Sequence, residues 1–339
     1  MISRRVFGLS LPAMLVACKK AQPPEPGAAP ARRIAVVPKG TTHEFWKAVH
    51  AGAVKAGKET KLDVVWKGPL REDDLRAQID VVQSFVAQGV AGIVVAPLSD
   101  KGLVASVKSA VDAKIPVVVF DSDLQGDHHA SFVATDNRAA GRLAAERMVK
   151  LLAGRGDAGR GGPPTVAVLR YQEGSASTQN REAGFLDEIK KTPEIRIVSE
   201  NQYGGATTET AFATAENLLA AQKAASGGLS GVFCPNESTT FGMLLALRKA
   251  GVAGKVRFCG FDGSEKLFGA LREGHIDGLV LQNPLRMGYL AVSTMAAILG
   301  GKPVEKRVDT GAGMVTRENV DTPELAELVK PDVKGILGE

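Results

Sequence analysis

Two large rings stand side by side in "GTTHEFWKAVHAGA" (residues 40–53), where Phe45 and Trp46 are adjacent in a chain that is only 5% aromatic and has two tryptophans. Neighbours on a helix point about 100° apart, so two such rings are not expected to share one buried face. A flat ring suits the C–H face of a sugar, whose hydroxyls then need directional partners around the rim. Candidate partners recur at the ends of apolar runs. Asp121 closes "IPVVVFD", Asn236 follows "VFCP", Asp262 lies in "FCGFDG", Gln282 follows "GLVL", and Arg181 sits in "NREAGF". Carboxylates accept, a guanidinium donates through a rigid fork, and primary amides do both. That mixture fits an uncharged polyol, because each buried polar group left unpaired costs about 1–3 kcal/mol. The plainer alternative makes Phe45 core and Trp46 a helix-packing ring. "FDG" is also an ordinary turn signal, so Asp262 reads equally as a turn former or a ligand contact.

Other chemistries fit less well. Asp121 and Asp262 would resemble a glycosidase carboxylate pair only if they faced each other. There is no G-x-S-x-G nucleophile elbow and no phosphate-binding G-x-x-x-x-G-K-[ST]. "GRGDAG" (154–159) has dinucleotide-fingerprint spacing, but a helical pattern precedes it and the strand "TVAVL" follows, the reverse of the required order. It reads as a solvated loop. His128 and His129, with Asp123 and Asp127 nearby, match no metal-ligand spacing, so a surface loop and no metal are expected. Cys234 and Cys259 each follow Phe in an apolar run and read as buried thiols, a disulfide being the alternative. No cofactor is expected. A formal charge of +5 without a dense Lys/Arg stripe argues against nucleic acid.

The elements that must position these residues follow a regular rhythm. A chain of 339 residues exceeds the size of one growing core. "RIAVVPK", "LDVVWK", "GIVVAP" and "IPVVVFD" alternate with helical patterns near 44–58 and 71–88 and with one opening at Ser99 as N-cap. The rhythm restarts at "TVAVLRY", with helices near 177–190, 207–224 and 238–250 between "IRIVSE", "SGVFCP", "KVRFCGFD" and "DGLVLQN". Near-continuous Val/Ile runs joined by helices indicate parallel sheets covered on both faces. The fold class is therefore α/β, with two doubly wound parallel-sheet lobes. In such sheets ligands sit beyond the carboxyl ends of the strands, which is where the groups above lie.

The start of the chain has its own character. "MISRRVFGLSLPAMLVAC" has a charged opening and an apolar run too short for a bilayer of ~30 Å, as expected of a signal peptide over 1–18. Leu15-Val16-Ala17-Cys18 resembles a lipobox, which would leave Cys18 lipidated, and "SRRVF" resembles a twin-arginine signal, so either export route remains open. The Pro/Ala-rich 19–31 reads as a flexible tether.

With these motifs in place, the chain resembles the periplasmic sugar-binding proteins of ABC transporters, of the ribose-binding type. The likeness covers roughly 32–317 and rests on "THEFW", "IPVVVFDS", "VATDNRAAGRLAAERM", "NREAGF", "VFCPNESTTFGMLLALRKAG", "FCGFDG" and "GLVLQNP". It implies that Phe45 and Trp46 sandwich a sugar ring. Asp121, Arg181, Asn236, Asp262 and Gln282 would bind hydroxyls, and Tyr203 would close the stack. It also implies a three-stranded hinge near 135–137, 282–284 and 310–312. The first lobe would then comprise 32–135 plus 283–310, and the second 136–282 plus 311–339. His43, Ser122 and Ala96-Pro97 stand where ribose binders carry Asn, Arg and Asn-Pro, so ribose itself is doubtful while a polyhydroxy ligand is not.

The expectation is a monomeric, non-enzymatic solute-binding protein anchored outside the cytoplasm through Cys18. It would deliver a monosaccharide-like ligand to an ABC permease. A sensory or quorum-signal receptor of the same fold is the alternative, ahead of a glycosidase using Asp121 and Asp262. A DNA-binding regulator of this fold would need a helix-turn-helix where the signal and tether stand.

Overall fold

The computed structural model describes residues 32–153 and 162–338. The signal peptide, Cys18, the tether and the "GRGDAG" loop lie outside the described residues. The first series runs β1 (Arg33–Val37), α1 (Glu44–Thr60), β2 (Asp63–Trp66), α2 (Leu75–Gln88), β3 (Gly92–Val95), α3 (Val104–Asp112), β4 (Val117–Phe120) and β5 (Ser131–Ala134). The second runs α4 (Asn137–Leu152), β6 (Thr165–Arg170), α5 (Ala176–Ile189), β7 (Arg196–Tyr203), α6 (Thr208–Ala221), β8 (Gly231–Phe233), α7 (Glu237–Lys249), β9 (Arg257–Phe261), α8 (Glu265–Glu273) and β10 (Gly278–Gln282). The chain ends with α9 (Pro284–Leu299), β11 (Arg307–Asp309), β12 (Ala312–Val315), α10 (Ala326–Val329) and α11 (Val333–Leu337).

Two six-stranded sheets result, ordered β2-β1-β3-β4-β5-β11 and β7-β6-β8-β9-β10-β12. All neighbours pair in parallel except β10 and β12. The Val/Ile runs form strands because alternate residues feed two cores. Val36, Val94 and Val118 pack with Trp46 and Met287 on one face, while Val37, Val95 and Val119 pack with Val107 on the other. The second sheet is likewise covered on both faces. Within each lobe one helix pair packs almost backbone to backbone. A Cβ on Gly52 of α1 would lie 1.9 Å from the Leu285 carbonyl of α9, and one on Gly141 of α4 would lie 2.0 Å from that of Arg181 in α5.

The chain passes between the sheets three times, after β5, after β10 and between β11 and β12. The two crossing helices begin at firm caps: Asp136 accepts from Ala139 N, and Asn283 accepts from Arg286 N with Pro284 next. The crossings are tied together by a 3.2 Å contact between the Thr135 and Thr310 hydroxyls and by Asp309 accepting from Asp136 N at 3.1 Å. The tail departs from the expected division between lobes. Leu328 and Val329 pack on the second lobe's core, but α11 returns to the first lobe, where Lys58 Nζ donates to the Ile336 carbonyl at 3.1 Å.

Two helix starts differ from expectation. Asp74 caps α2 by accepting from Ala77 N, which leaves 67–74 as a loop. Ser99 closes a turn by accepting from Gly102 N, and α3 begins only at Val104. Cys234 and Cys259 are buried free thiols. Among the described residues no helix is long and apolar enough to cross a membrane, and no cluster of potential metal ligands occurs.

Candidate functional site

The fourth strands in from the outer edge, β4 and β9, end in the same way. Asp121 (φ 60°) and Asp262 (φ 63°) both adopt the left-handed conformation. Asp tolerates this region better than most side chains. Each also anchors its N–H on the next strand, Asp121 to the Val133 carbonyl at 3.1 Å and Asp262 to that of Val280 at 2.9 Å. Asp262 is thus a turn former and also presents a carboxylate to a cavity. Asp121 is ion-paired at 2.9 Å with Lys39, which follows β1 and also donates to Ser177 Oγ at 3.0 Å. Asp262 accepts from Gln282 Nε2 at 2.8 Å and from Glu237 N at 3.2 Å, with Arg181 Nη1 at 4.0 Å. Burial drives the Asp262 carboxyl upward, against the pull of Arg181 and Gln282.

Arg181 is rigidly held. Close contact between α4 and α5 lets its Nε donate to Asn137 Oδ1 at 2.7 Å, while Nη1 donates to the Pro235 carbonyl at 2.9 Å. Its guanidinium lies 4.0 Å from the centre of the Phe261 ring. With these anchors made, Nη2 is still buried without a partner, as is Gln282 Oε1. Polar groups in that state are costly unless something else pairs with them. Asn236 caps α7: its Oδ1 accepts from Thr239 N and Oγ1, and its Nδ2 donates to Ser238 Oγ.

Glu72, on the loop before α2, gathers the rings. It accepts from the Trp46 indole N–H at 2.7 Å and the Tyr171 hydroxyl at 2.8 Å, and His43 Nδ1 stands 2.7 Å away. Burial alone would raise the Glu72 carboxyl, but the hydrogen bond and charge of His43, then Lys39 and Trp46, hold it at about 2. Burial likewise opposes charge on His43, yet Glu72, Glu237 and Asp262 lift it to about 9. Burial pushes Glu237 up to about 7, reinforced by Asp262 and resisted by His43. Phe45 and Trp46 meet edge-on with centroids 4.9 Å apart, and both are buried. The helical-angle expectation that they would be divided is corrected. The first turn of α1 is covered on two sides, by its own sheet and by the second lobe, where Glu237 accepts from Phe45 N at 3.3 Å.

His43, Phe45, Trp46, Asp121, Arg181, Asn236, Asp262 and Gln282 line one cavity of about 30 Å³, together with Lys39, Glu72, Tyr171, Ser177, Thr178 and Glu237. Ser122 lies behind that wall, accepting from Ser177 N at 3.1 Å. Tyr203 is elsewhere. It ends the edge strand β7, 36% exposed under the Arg170 guanidinium, and the tyrosine buried in the cavity is Tyr171, which follows the neighbouring β6. Sequence reasoning missed Lys39, Glu72, Tyr171 and Glu237 as site residues. Tyr171 directly follows β6 and already falls under the strand-end rule, while Lys39 lies two residues after β1, where the rule applied two residues earlier reaches it.

A family model described as "Periplasmic binding protein domain" matches residues 34–303. The D-ribose/D-allose-binding protein of Pseudomonas aeruginosa is 30% identical over 82% of this chain and 85% of its own. Among solved structures, the periplasmic component of an ABC-type sugar transport system from Hahella chejuensis is 37% identical (TM-score 0.78) over 84% of this chain and 99% of its own. A solute-binding protein from Agrobacterium vitis with bound D-fucose is 35% identical (TM-score 0.81) over 88% of this chain and 99% of its own. By fold and by sequence, this chain belongs to the periplasmic binding protein domain family.

Proposed function

We propose that this chain is an extracytoplasmic solute-binding protein that captures a monosaccharide-like polyol between its two lobes and delivers it to an ABC permease, anchored through a lipidated Cys18. One observation carries the reading. Arg181 Nη2, a donor, and Gln282 Oε1, an acceptor, are buried and unpaired in a cavity they share with four carboxyl groups (Glu72, Asp121, Glu237 and Asp262) and the rings of Phe45, Trp46 and Tyr171. A ligand rich in hydroxyls supplies both missing partners. The relatives support the class: one is named for ribose and allose, another holds D-fucose, and a third, from Agrobacterium radiobacter, holds D-arabinose. They are binding proteins rather than enzymes. Asp121 is already committed to Lys39 and Asp262 to Gln282, so nothing favours hydrolysis.

The cavity of about 30 Å³ has room for no more than a water or two. A sugar ring would therefore be admitted as the lobes part about the three inter-lobe crossings, with ligand favouring the closed form by its differential affinity for the two states. A thermal-shift screen of pentoses, hexoses and small polyols tests the reading. Stabilisation of the wild-type chain by at least one of them, abolished in Arg181→Ala, is expected. No shift with any of them overturns it.

A further inference from the structure

The small cavity has a larger neighbour. A chamber of about 1020 Å³ opens beside it, and His43, Phe45, Glu237, Asp262 and Gln282 line both. The two spaces therefore share one wall that carries a ring, donors and acceptors. Phe241 of α7, Phe268 of α8 and the segment 328–334 also line the chamber. That segment is held at both ends, by Leu328 and Val329 on the second lobe's core and by the Lys58 bond to Ile336 on the first lobe. It lies beyond residues 34–303, the span shared with the family.

The space is partly open to solvent and, at about 1020 Å³, has room for more than the single ring that the relatives carry, at the top of the range of ~300–1,000 Å³ for small-molecule sites. Its charges are of both signs and partly self-paired. Lys47 is bonded to Glu44 at 2.8 Å, and Lys266 Nζ lies 5.2 Å from the centre of the Phe241 ring. Such a lining favours an uncharged ring over a phosphate or another compact anion.

We propose that this chamber is a second subsite and that the ligand is a glycoside. With the smaller cavity widened by parting of the lobes, one sugar ring would sit among Asp121, Arg181 and Gln282, and a second ring, joined through the glycosidic oxygen, would enter the larger space lined by Phe45, Phe241 and the 328–334 segment. The proposal rests on the polyol reading of the smaller cavity. The shared wall matches the bridge between rings, because His43 can donate to the linking oxygen while Glu237 and Gln282 Oε1 can accept from the hydroxyls beside it.

Isothermal titration of the purified wild-type chain with matched probes tests it: free glucose, galactose, xylose and arabinose, then the methyl and phenyl glycosides of each and the disaccharides lactose and cellobiose. A phenyl glycoside or a disaccharide is expected to bind about tenfold or more tightly than its parent sugar, the scale of one added aromatic contact. Phe241→Ala reduces that preference to below about threefold. Glu265→Trp, which crowds the chamber from an exposed position, does the same without disturbing the core. A free sugar that binds as tightly as or tighter than all its glycosides overturns this inference and leaves the polyol reading intact. Binding by none of the probes overturns both.

Discussion

The ends of β4 and β9 are built on one backbone plan and finished with different chemistry. Both place an aspartate in the left-handed region, and both tie its N–H to the adjacent strand. Asp121 then meets a buried lysine at 2.9 Å, whereas Asp262 meets a glutamine, a backbone N–H and an arginine no closer than 4.0 Å. The shared part belongs to the doubly wound fold and fixes where a carboxylate points. The difference belongs to the site. At Asp121 a full ion pair takes up the charge, while at Asp262 neutral donors leave burial dominant and raise the carboxyl. One aspartate therefore holds its lobe's half of the site together, and the other is more open to an incoming hydroxyl.

Unequal damage on the two sides would break or sharpen that contrast. The largest effect is expected from Lys39→Ala, which strands a buried carboxylate and costs about 3–5 kcal/mol of stability, measured by urea unfolding. Gln282→Ala removes one donor from Asp262 and costs about 1–3 kcal/mol by the same measurement. Equal losses would mean that the two aspartates play the same part. Arg181→Lys keeps the charge but loses the fork, so polyol affinity falls about tenfold or more in titration.

The His43–Glu72 pair adds a pH dependence to the first lobe, the Asp121 side. His43 rises from 6.5 to about 9, so its contribution to stability is complete below pH 6.5 and is lost as pH rises through about 9. Glu72 falls from 4.5 to about 2, so its contribution is present above pH 4.5 and is lost as pH falls through about 2. Glu237, raised from 4.5 to about 7, adds a cost that grows between those two values. The midpoint of thermal unfolding should therefore decline from neutral pH toward pH 9, and His43→Gln should flatten the decline above pH 6.5. The smallest effect is expected at Tyr203→Ala. That ring lies on the exposed edge, so stability should change by no more than about 0.5 kcal/mol and sugar affinity by less than about twofold.

Much of the fold was legible because fully buried parallel strands leave unbroken Val/Ile runs such as "GIVV" and "VVVF". The site was legible where a single residue ends a strand, as with Asp121, Asp262 and Gln282. Glu72 is hidden in the sequence because the helical pattern extends back to residue 71, although Pro69 and the cap residue Asp74 mark a loop there. Tyr171 and Tyr203 stand at the ends of neighbouring strands, Tyr171 just past β6 and Tyr203 closing β7. What separates them is strand order, since β7 is an edge and β6 is not, and strand order is a property of the assembled sheet. The pairing of Lys39 with Asp121 spans two strand ends and was invisible for the same reason.

The central claim is that groups from both lobes converge on an uncharged polyol. Calorimetric titration of wild type and Arg181→Ala with neutral sugars and glycosides, alongside sugar phosphates and amino acids, tests it most directly. The account predicts saturable binding of a neutral ligand that disappears in the variant. Binding confined to charged ligands, or neutral binding that survives the loss of Arg181, would contradict it.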